Sequence, residues 1–245
     1  MIDIASSSNA HFKTWKSLLT SKGIKKEGLF LLSGEKLIRE FARAGGLEVI
    51  AELVSSRGEP LTQAPKQYRL TAELFRELDE IGTHHSLLVV RAPEIPRWDA
   101  DSACSGLEVF CPLGDPQNLG ALLRSAEAFG ASRVVLLEEA ANPYLPKTLK
   151  ASAGSSLRVR LERGPSLREL SGSFVALELN GRSLTDYKWK KSVRLLVGEE
   201  GPGLSALSEK ARVEAISIPT SGVESLNAGV AAGIALFHYR LQNPN

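Results

Sequence analysis

From Leu107 onward, short strand-like runs rich in apolar residues alternate with longer segments in which apolar residues return every three or four positions. The runs are Leu107–Leu113, Arg133–Leu137, Phe174–Leu179, Val193–Val197 and Ala215–Ile218. Runs without an in–out alternation suit strands buried on both faces, and the spaced segments suit amphipathic helices. The alternation predicts an α/β fold with a largely parallel sheet covered on both sides. Within Leu119–Gly130, Leu119, Leu122, Leu123, Ala126 and Phe129 share one helical face, and Arg124 projects from the opposite side. In the last segment Leu226, Val230, Ile234, Phe237 and Leu241 read as a buried stripe, with Gly229 and Gly233 permitting close approach of another backbone.

Before Leu107 the pattern is shorter and mixed. Gly34–Ala44 carries Leu37, Ile38 and Phe41 at helical spacing, Leu47–Val54 reads as a strand, Ala72–Ile81 as a helix and Ser86–Val90 as a short strand. Two prolines and a polar run break any period between Arg91 and Gly106. The expected division is a small α/β domain over residues 1–92, a linker over 93–106 and a larger domain over 107–245. No internal repeat or low-complexity segment is apparent.

Composition narrows the class only a little. The chain has 245 residues, 43% of them hydrophobic, enough for a sizeable core. The longest nearly apolar stretch, Ala228–Phe237, is far shorter than the roughly 18 residues of a membrane helix, and Met1-Ile-Asp-Ile opens no secretory leader. No membrane association is expected, and the cytoplasm is the expected compartment. Cys104 and Cys111 form no Cys-x-x-Cys pair and His84-His85 has no companion at ligand spacing, so no metal site is expected. A net charge of +2 does not announce a polyanion partner, and the argument shifts to where the charges sit. Lys13, Lys16, Lys22, Lys25 and Lys26 face one acid between His11 and Glu27. That is either a basic contact surface or a solvated helix face.

Three segments concentrate chemistry-bearing residues. The first is Asp115-Pro-Gln-Asn-Leu-Gly-Ala-Leu-Leu-Arg-Ser-Ala-Glu-Ala-Phe-Gly130, the second Leu195-Leu-Val-Gly-Glu-Glu-Gly-Pro-Gly-Leu-Ser205, and the third Ile218-Pro-Thr-Ser-Gly-Val-Glu-Ser-Leu-Asn-Ala-Gly-Val-Ala-Ala-Gly233. Taken singly, Asn118 is placed to cap a helix, Arg124 to be a solvated charge, and Ser225 to cap the last helix. The glycines behind Val197 let a ligand approach backbone closely, but Gly198, Gly201 and Gly203 do not fit the dinucleotide fingerprint.

Together and in this order the three segments resemble the signature motifs of the SpoU family of RNA ribose methyltransferases, within the SPOUT superfamily. The resemblance covers most of the chain after about Leu107. It implies a mostly parallel sheet with a C-terminal trefoil knot, S-adenosylmethionine as cofactor, and methylation of a ribose 2′-hydroxyl in structured RNA, ribosomal in the first instance. Transfer RNA is the alternative substrate, and a non-catalytic RNA-binding or ribosome-assembly protein on the same scaffold is the rival class. The resemblance implies catalytic roles for Arg124, Asn118, Glu200, Ser225 and Asn227, and cofactor contacts from Leu196, Val197, Gly198, Gly203, Ile218 and Leu226. Glu199 is expected to face solvent. Gly222-Val-Glu-Ser225 is one residue shorter than the family's usual turn.

Asn142–Arg158 also resembles the family's segment after the second strand, where Lys147, Lys150 and Arg158 could hold phosphates. The first thirty-odd residues, with Gly28-Leu-Phe-Leu-Leu-Ser-Gly34, resemble the small RNA-binding domain that many members carry. Lys13, Lys16, Lys22, Lys25 and Lys26 are its candidate RNA contacts. A homodimer paired through the knotted region completes the expectation.

Overall fold

Strand order explains why distant motifs can meet. The computed structural model describes residues 1–199 and 203–244, and the chain divides into two compact units. The first comprises 1–94 together with 142–154, and the second comprises 95–141 and 155–245.

The first unit holds β1 (Ile2–Ile4), α1 (Ala10–Ser17), α2 (Ser21–Glu27), β2 (Leu29–Leu32), α3 (Glu35–Ala44), β3 (Val49–Ser55), β4 (Gln67–Leu70), α4 (Ala72–Leu78) and β5 (Leu87–Arg91). Its sheet runs β1-β4-β3-β5-β2, with β3 and β2 antiparallel to β5 and the other pairs parallel. Asn9, Thr20 and Thr71 cap α1, α2 and α4 through their side chains, as polar residues at helix starts do. Phe12, Trp15 and Leu18 pack with Leu31, Leu53 and Tyr68 of the sheet and with Phe75 of α4 in one core. Glu52 is fully buried and accepts from Leu61 N at 2.6 Å, Thr62 N at 3.1 Å and the hydroxyls of Thr62 and Ser86, both at 2.6 Å. That carboxylate pins the loop after β3, with its lone pairs satisfied by protein donors.

The second unit is built on β6 (Leu107–Cys111), α5 (Pro116–Ala128) and β7 (Arg133–Leu136), followed by β8 (Leu161–Arg163), β9 (Gly172–Ser183), β10 (Val193–Leu196), β11 (Ala211–Ser217) and α7 (Ala228–Gln242). Between β7 and β8 the chain contributes α6 (Pro146–Ala151) to the first unit, where Tyr144 stacks on Phe30 with ring centroids 5.2 Å apart. The sheet order is β11-β9-β10-β6-β7-β8 and every pair is parallel. β6, β7 and β10 are buried almost throughout, in keeping with their apolar runs. Leu119, Leu122, Leu123 and Ala126 are the buried face of α5.

Two expectations change here. Residues 95–106 are not a free linker, because Trp98 N donates to Arg163 O and Arg163 N to Pro96 O, both at 2.8 Å, and the Trp98 ring meets Phe110 at 5.0 Å. An apolar anchor and two ladder bonds outweigh the prolines. Further along, Ser102 receives Arg133 on its hydroxyl at 3.0 Å and Arg194 on its carbonyl at 2.7 Å. These arginines belong to a buried network centred on Glu108, which is 2.6 Å from Arg133 and 3.2 Å from Arg194, while Arg133 also reaches Glu162 at 3.0 Å.

The stripe on α7 is the second correction. Val230, Ile234, Phe237 and Leu241 are 53%, 37%, 49% and 61% exposed, and the buried residues are Gly229, Ala232, Ala235, Leu236 and Tyr239. The helix is apolar nearly all round, so the close-packed face goes to its smallest residues. A Cβ at Gly229 would lie 3.3 Å from Asn118 O, and one at Gly233 would lie 3.2 Å from Ser125 Oγ. Both glycines therefore serve α7 against α5 within one chain. Among the described residues no helix is long and apolar enough to cross a membrane.

Candidate functional site

In an open parallel sheet, the crevice beyond the carboxyl ends of the strands is where ligands bind. Here a cleft of about 950 Å³ opens there, walled by residues following β6, β10 and β11, by the far part of β9, and by the first turns of α5 and α7. The three sequence segments singled out above converge on it.

The α5 wall is set by Asp115, whose carboxylate accepts from Gln117 N at 2.8 Å and Asn118 N at 2.9 Å, with Pro116 as the first helical residue. Asp115 is thus the cap, and Asn118 lies inside the first turn with its side chain free of that duty. Likewise the cap of α7 is Asn227, whose Oδ1 accepts from Val230 N at 3.2 Å, and Ser225 stands outside the helix on the cleft wall. The cap thus falls three residues before the expected one on α5 and two residues after it on α7. The Asn227 side chain also donates from Nδ2 to Asn118 Oδ1 at 2.9 Å, joining the two helix starts.

After β10, Glu199 and Gly203 pair through their backbones. Glu199 N donates to Gly203 O at 2.8 Å and Gly203 N to Glu199 O at 3.1 Å, so Gly198 and Gly203 face each other. A Cβ on Gly198 would come within 3.3 Å of Gly203 backbone, and Gly203 has φ +63°, so glycine suits both positions. Val197, Gly198, Gly203, Ile218 and Leu226 line the cleft. Leu196 does not: it is fully buried and packs with Trp98 and Phe110 beneath the sheet. Strand alternation turns it to the face opposite its neighbour Val197. Glu199 lines the cleft instead of pointing away from it. Glu200 lies outside the described residues.

Sequence reasoning missed one wall. While β11 advances from Ala215 to Ile216, its partner on β9 jumps from Ala176 to Arg182, so Leu177–Gly181 bulges out of the ladder and Leu177, Glu178, Leu179 and Asn180 line the cleft. Gly181 allows this, since a Cβ there would sit 2.5 Å from the Ile216 backbone. The signal available was a glycine closing an apolar run, which marks a close backbone approach.

Charge on the wall is one-sided. Asp115, Glu178, Glu199 and Glu224 line the cleft, and among the described lining residues there is no lysine or arginine. Such a lining favours a cationic ligand over a phosphate-rich one.

Arg124 is not part of this wall. It is exposed on α5, about 9 Å along the axis from Asn118 at 1.5 Å rise per residue. Lys13, Lys16, Lys22, Lys25 and Lys26 are all exposed on α1 and α2, and Lys147 and Lys150 lie on α6 in the same unit. Lys16 pairs with Glu77, Lys26 with Glu27 at 3.0 Å and Lys147 with Glu80 at 2.9 Å. Lys13, Lys22, Lys25 and Lys150 have no carboxylate partner among the described residues. Arg158 belongs to the other unit and is engaged by Glu127.

Comparison with known proteins agrees with this geometry. The sequence model of the SpoU rRNA Methylase family matches residues 109–237. The Ribosomal RNA small subunit methyltransferase G 2 of Syntrophobacter fumaroxidans is 39% identical over 96% of this chain, which spans only 48% of that protein. The 23S rRNA (guanosine(2553)-2'-O)-methyltransferase RlmP of Bacillus subtilis is 32% identical over 98% of this chain and 100% of its own length. Among solved structures, the SpoU methyltransferase AviRb of Streptomyces viridochromogenes in complex with AdoMet superposes with a TM-score of 0.78 at 26% identity, covering 96% of this chain and 98% of its own. With the family's segments gathered on one cleft and the match extending over more than half its length, the chain belongs to the SpoU rRNA methylase family.

Proposed function

We propose that this protein transfers a methyl group from S-adenosylmethionine to a ribose 2′-hydroxyl in ribosomal RNA. The observation that carries the reading is the convergence of three segments, far apart in sequence, on one acid-lined cleft at the strand ends, joined by the Asn118–Asn227 bond. When bound, the cofactor supplies an electrophilic methyl on a sulfonium cation. The residues present suit it: Asp115, Glu178, Glu199 and Glu224 offer a negative surface, and Gly198 and Gly203 leave backbone open to close approach. Val197, Ile218 and Leu226 supply apolar contact, and Leu177 and Leu179 of the β9 bulge add to it.

The chain's own part in the reaction is alignment and charge. A ribose hydroxyl is a weak nucleophile, so holding it in line and stabilising the developing alkoxide are the main contributions. Asn118 and Asn227, fixed by each other and by the α7 cap, orient the reacting groups. Ser225 on the cleft wall and Arg124 farther along α5 grip the target's phosphate. Arg124 stabilises negative charge there, because its guanidinium offers five N–H donors and no acceptor for a proton. Glu200 belongs with these residues by its motif position.

The finer architecture follows the same reading. The C-terminal segment forms a trefoil knot, supported by the course of the chain, which reaches the sheet edge at β11 and returns along α5 as α7. The first unit binds RNA, supported by the exposed lysines of α1, α2 and α6. Two copies pair in the cytoplasm through α7, whose exposed Val230, Ile234, Phe237 and Leu241 make a continuous apolar strip suited to an isologous contact.

The test is direct. Purified protein is titrated with S-adenosylmethionine and its demethylated product by calorimetry, and ribose methylation is mapped in ribosomal and transfer RNA from cells with and without the gene. Binding and a lost ribosomal site are expected. Absence of binding at millimolar concentration would leave an RNA-binding scaffold in its place.

A further inference from the structure

The helix that carries Arg124 gives it four neighbours at three- and four-residue spacing: Gly120, Ala121, Glu127 and Ala128. Glu127 is the sole charged one. A glutamate three residues along an exposed helix is a ready ion-pair partner, and such a pair would occupy the guanidinium that a phosphate must reach.

Glu127 is held elsewhere. Its Oε1 accepts from Arg158 Nε at 2.6 Å, and its Oε2 accepts from Arg158 Nη2 at 3.0 Å and from the Ser155 hydroxyl at 2.5 Å. Arg158 is itself set by a short 3-10 turn, Ser155–Leu157, in which Arg158 N donates to Ser155 O at 3.0 Å. Ser155 is buried, so the turn is anchored. The guanidinium fork matches the carboxylate with two bonds, a geometry that a lone exposed partner does not displace easily. Arg124 is left exposed, with no carboxylate partner among the described residues.

We propose that Arg158 is a positioning residue for methyl transfer: together with Ser155 it sequesters Glu127 and so keeps Arg124 free for the RNA phosphate. The inference rests on the reading that Arg124 acts on the substrate. It replaces the expectation that Arg158 itself contacts RNA. The hydrogen bonds from Arg158 also hold the Glu127 carboxyl below its ordinary pKa, as a charged pair requires.

The experiment measures transfer kinetics on ribosomal RNA for Arg158→Ala, Glu127→Gln, the double variant, Arg158→Lys and Arg124→Ala, with cofactor affinity by calorimetry. Arg158→Ala should lower kcat/KM about tenfold, a modest fraction of what losing a transition-state charge contact costs. Cofactor affinity should not change, Glu127→Gln should stay near wild type, and the double variant should recover most of the loss. Arg158→Lys should retain most activity by keeping a cation on Glu127. Arg158→Ala at the wild-type rate, or a double variant as slow as the single, would overturn the inference, the latter pointing to direct RNA contact by Arg158. Should Arg158→Ala fail to fold, Ala128→Glu places an unsequestered carboxylate one turn from Arg124. It should slow transfer similarly, and an unaffected rate would overturn the idea. An active Arg124→Ala would instead sink the underlying reading of Arg124, whatever Arg158 does.

Discussion

Asn227 donates from Nδ2 to Asn118 Oδ1 at 2.9 Å while its own Oδ1 receives Val230 N at 3.2 Å. One side chain therefore caps α7 and fixes the first turn of α5, so the relative placement of two cleft walls depends on it. Removing it by Asn227→Ala should cost about 1 kcal/mol from the cap alone, with a further loss from the bond to Asn118. Asn118→Ala should lose the bond to Asn227 while leaving the α7 cap in place. A urea double-mutant cycle should give a coupling of about 0.5–1.5 kcal/mol; strictly additive variants would mean the bond contributes nothing.

RNA affinity should divide the lysines by their partners. Among the described residues Lys13, Lys22 and Lys25 have no carboxylate to leave, whereas Lys16 and Lys26 have Glu77 and Glu27. Replacing the first three with alanine should flatten the log-log salt dependence of RNA binding by up to about 0.7–0.9 per lysine that contacts phosphate. Replacing Lys16 and Lys26 should flatten it less. Parallel lines for wild type and the triple variant would return α1 and α2 to a merely solvated surface.

His238 should make stability fall in acid. Its Nδ1 accepts from Trp189 Nε1 at 2.9 Å, and burial, with Lys188 nearby, lowers its pKa below 6.5. The unfolded chain then binds the proton more readily, so the contribution is complete above about pH 6.5 and is lost as pH drops through the lower folded value. Melting temperatures between pH 7.5 and 5 should decline less steeply in His238→Gln than in wild type. Equal slopes would refute the assignment.

Glu108 should be among the most sensitive positions outside the cleft. It is fully buried between Arg133 and Arg194, so Glu108→Ala leaves two guanidiniums without their shared carboxylate. A loss of about 3–5 kcal/mol is expected in chemical denaturation. A loss below about 1 kcal/mol would mean that water or Glu162 compensates.

Periodicity located β6, β7, β10 and the buried face of α5 because each is solved by one local rule, apolar on both faces or on one stripe. The same rule failed on α7, where Val230 and Phe237 are as apolar as Leu236 and only the fit of Gly229 and Gly233 against α5 decides which face is buried. Most of the cleft was legible as motif residues, but Leu196 and Val197 differ only by strand alternation, which needs the strand's orientation to resolve. The β9 bulge was not legible, since register is a property of two strands. Nor was the sequestering of Glu127, which joins residues 28 positions or more apart.

The first unit is stitched from two pieces of chain, and this bears on how the protein is made. Tyr144, which bonds Pro93 O through its hydroxyl at 3.2 Å, and the buried Thr148 and Leu149 reach that unit only after β6, α5 and β7 have been synthesised. Emerging from the ribosome, the amino-terminal 94 residues present Phe30 without the ring that stacks on it. Completion of this unit therefore waits for the other to be half built, and a gene cut at residue 94 strands Tyr144 and Leu149 in the second fragment as exposed apolar surface.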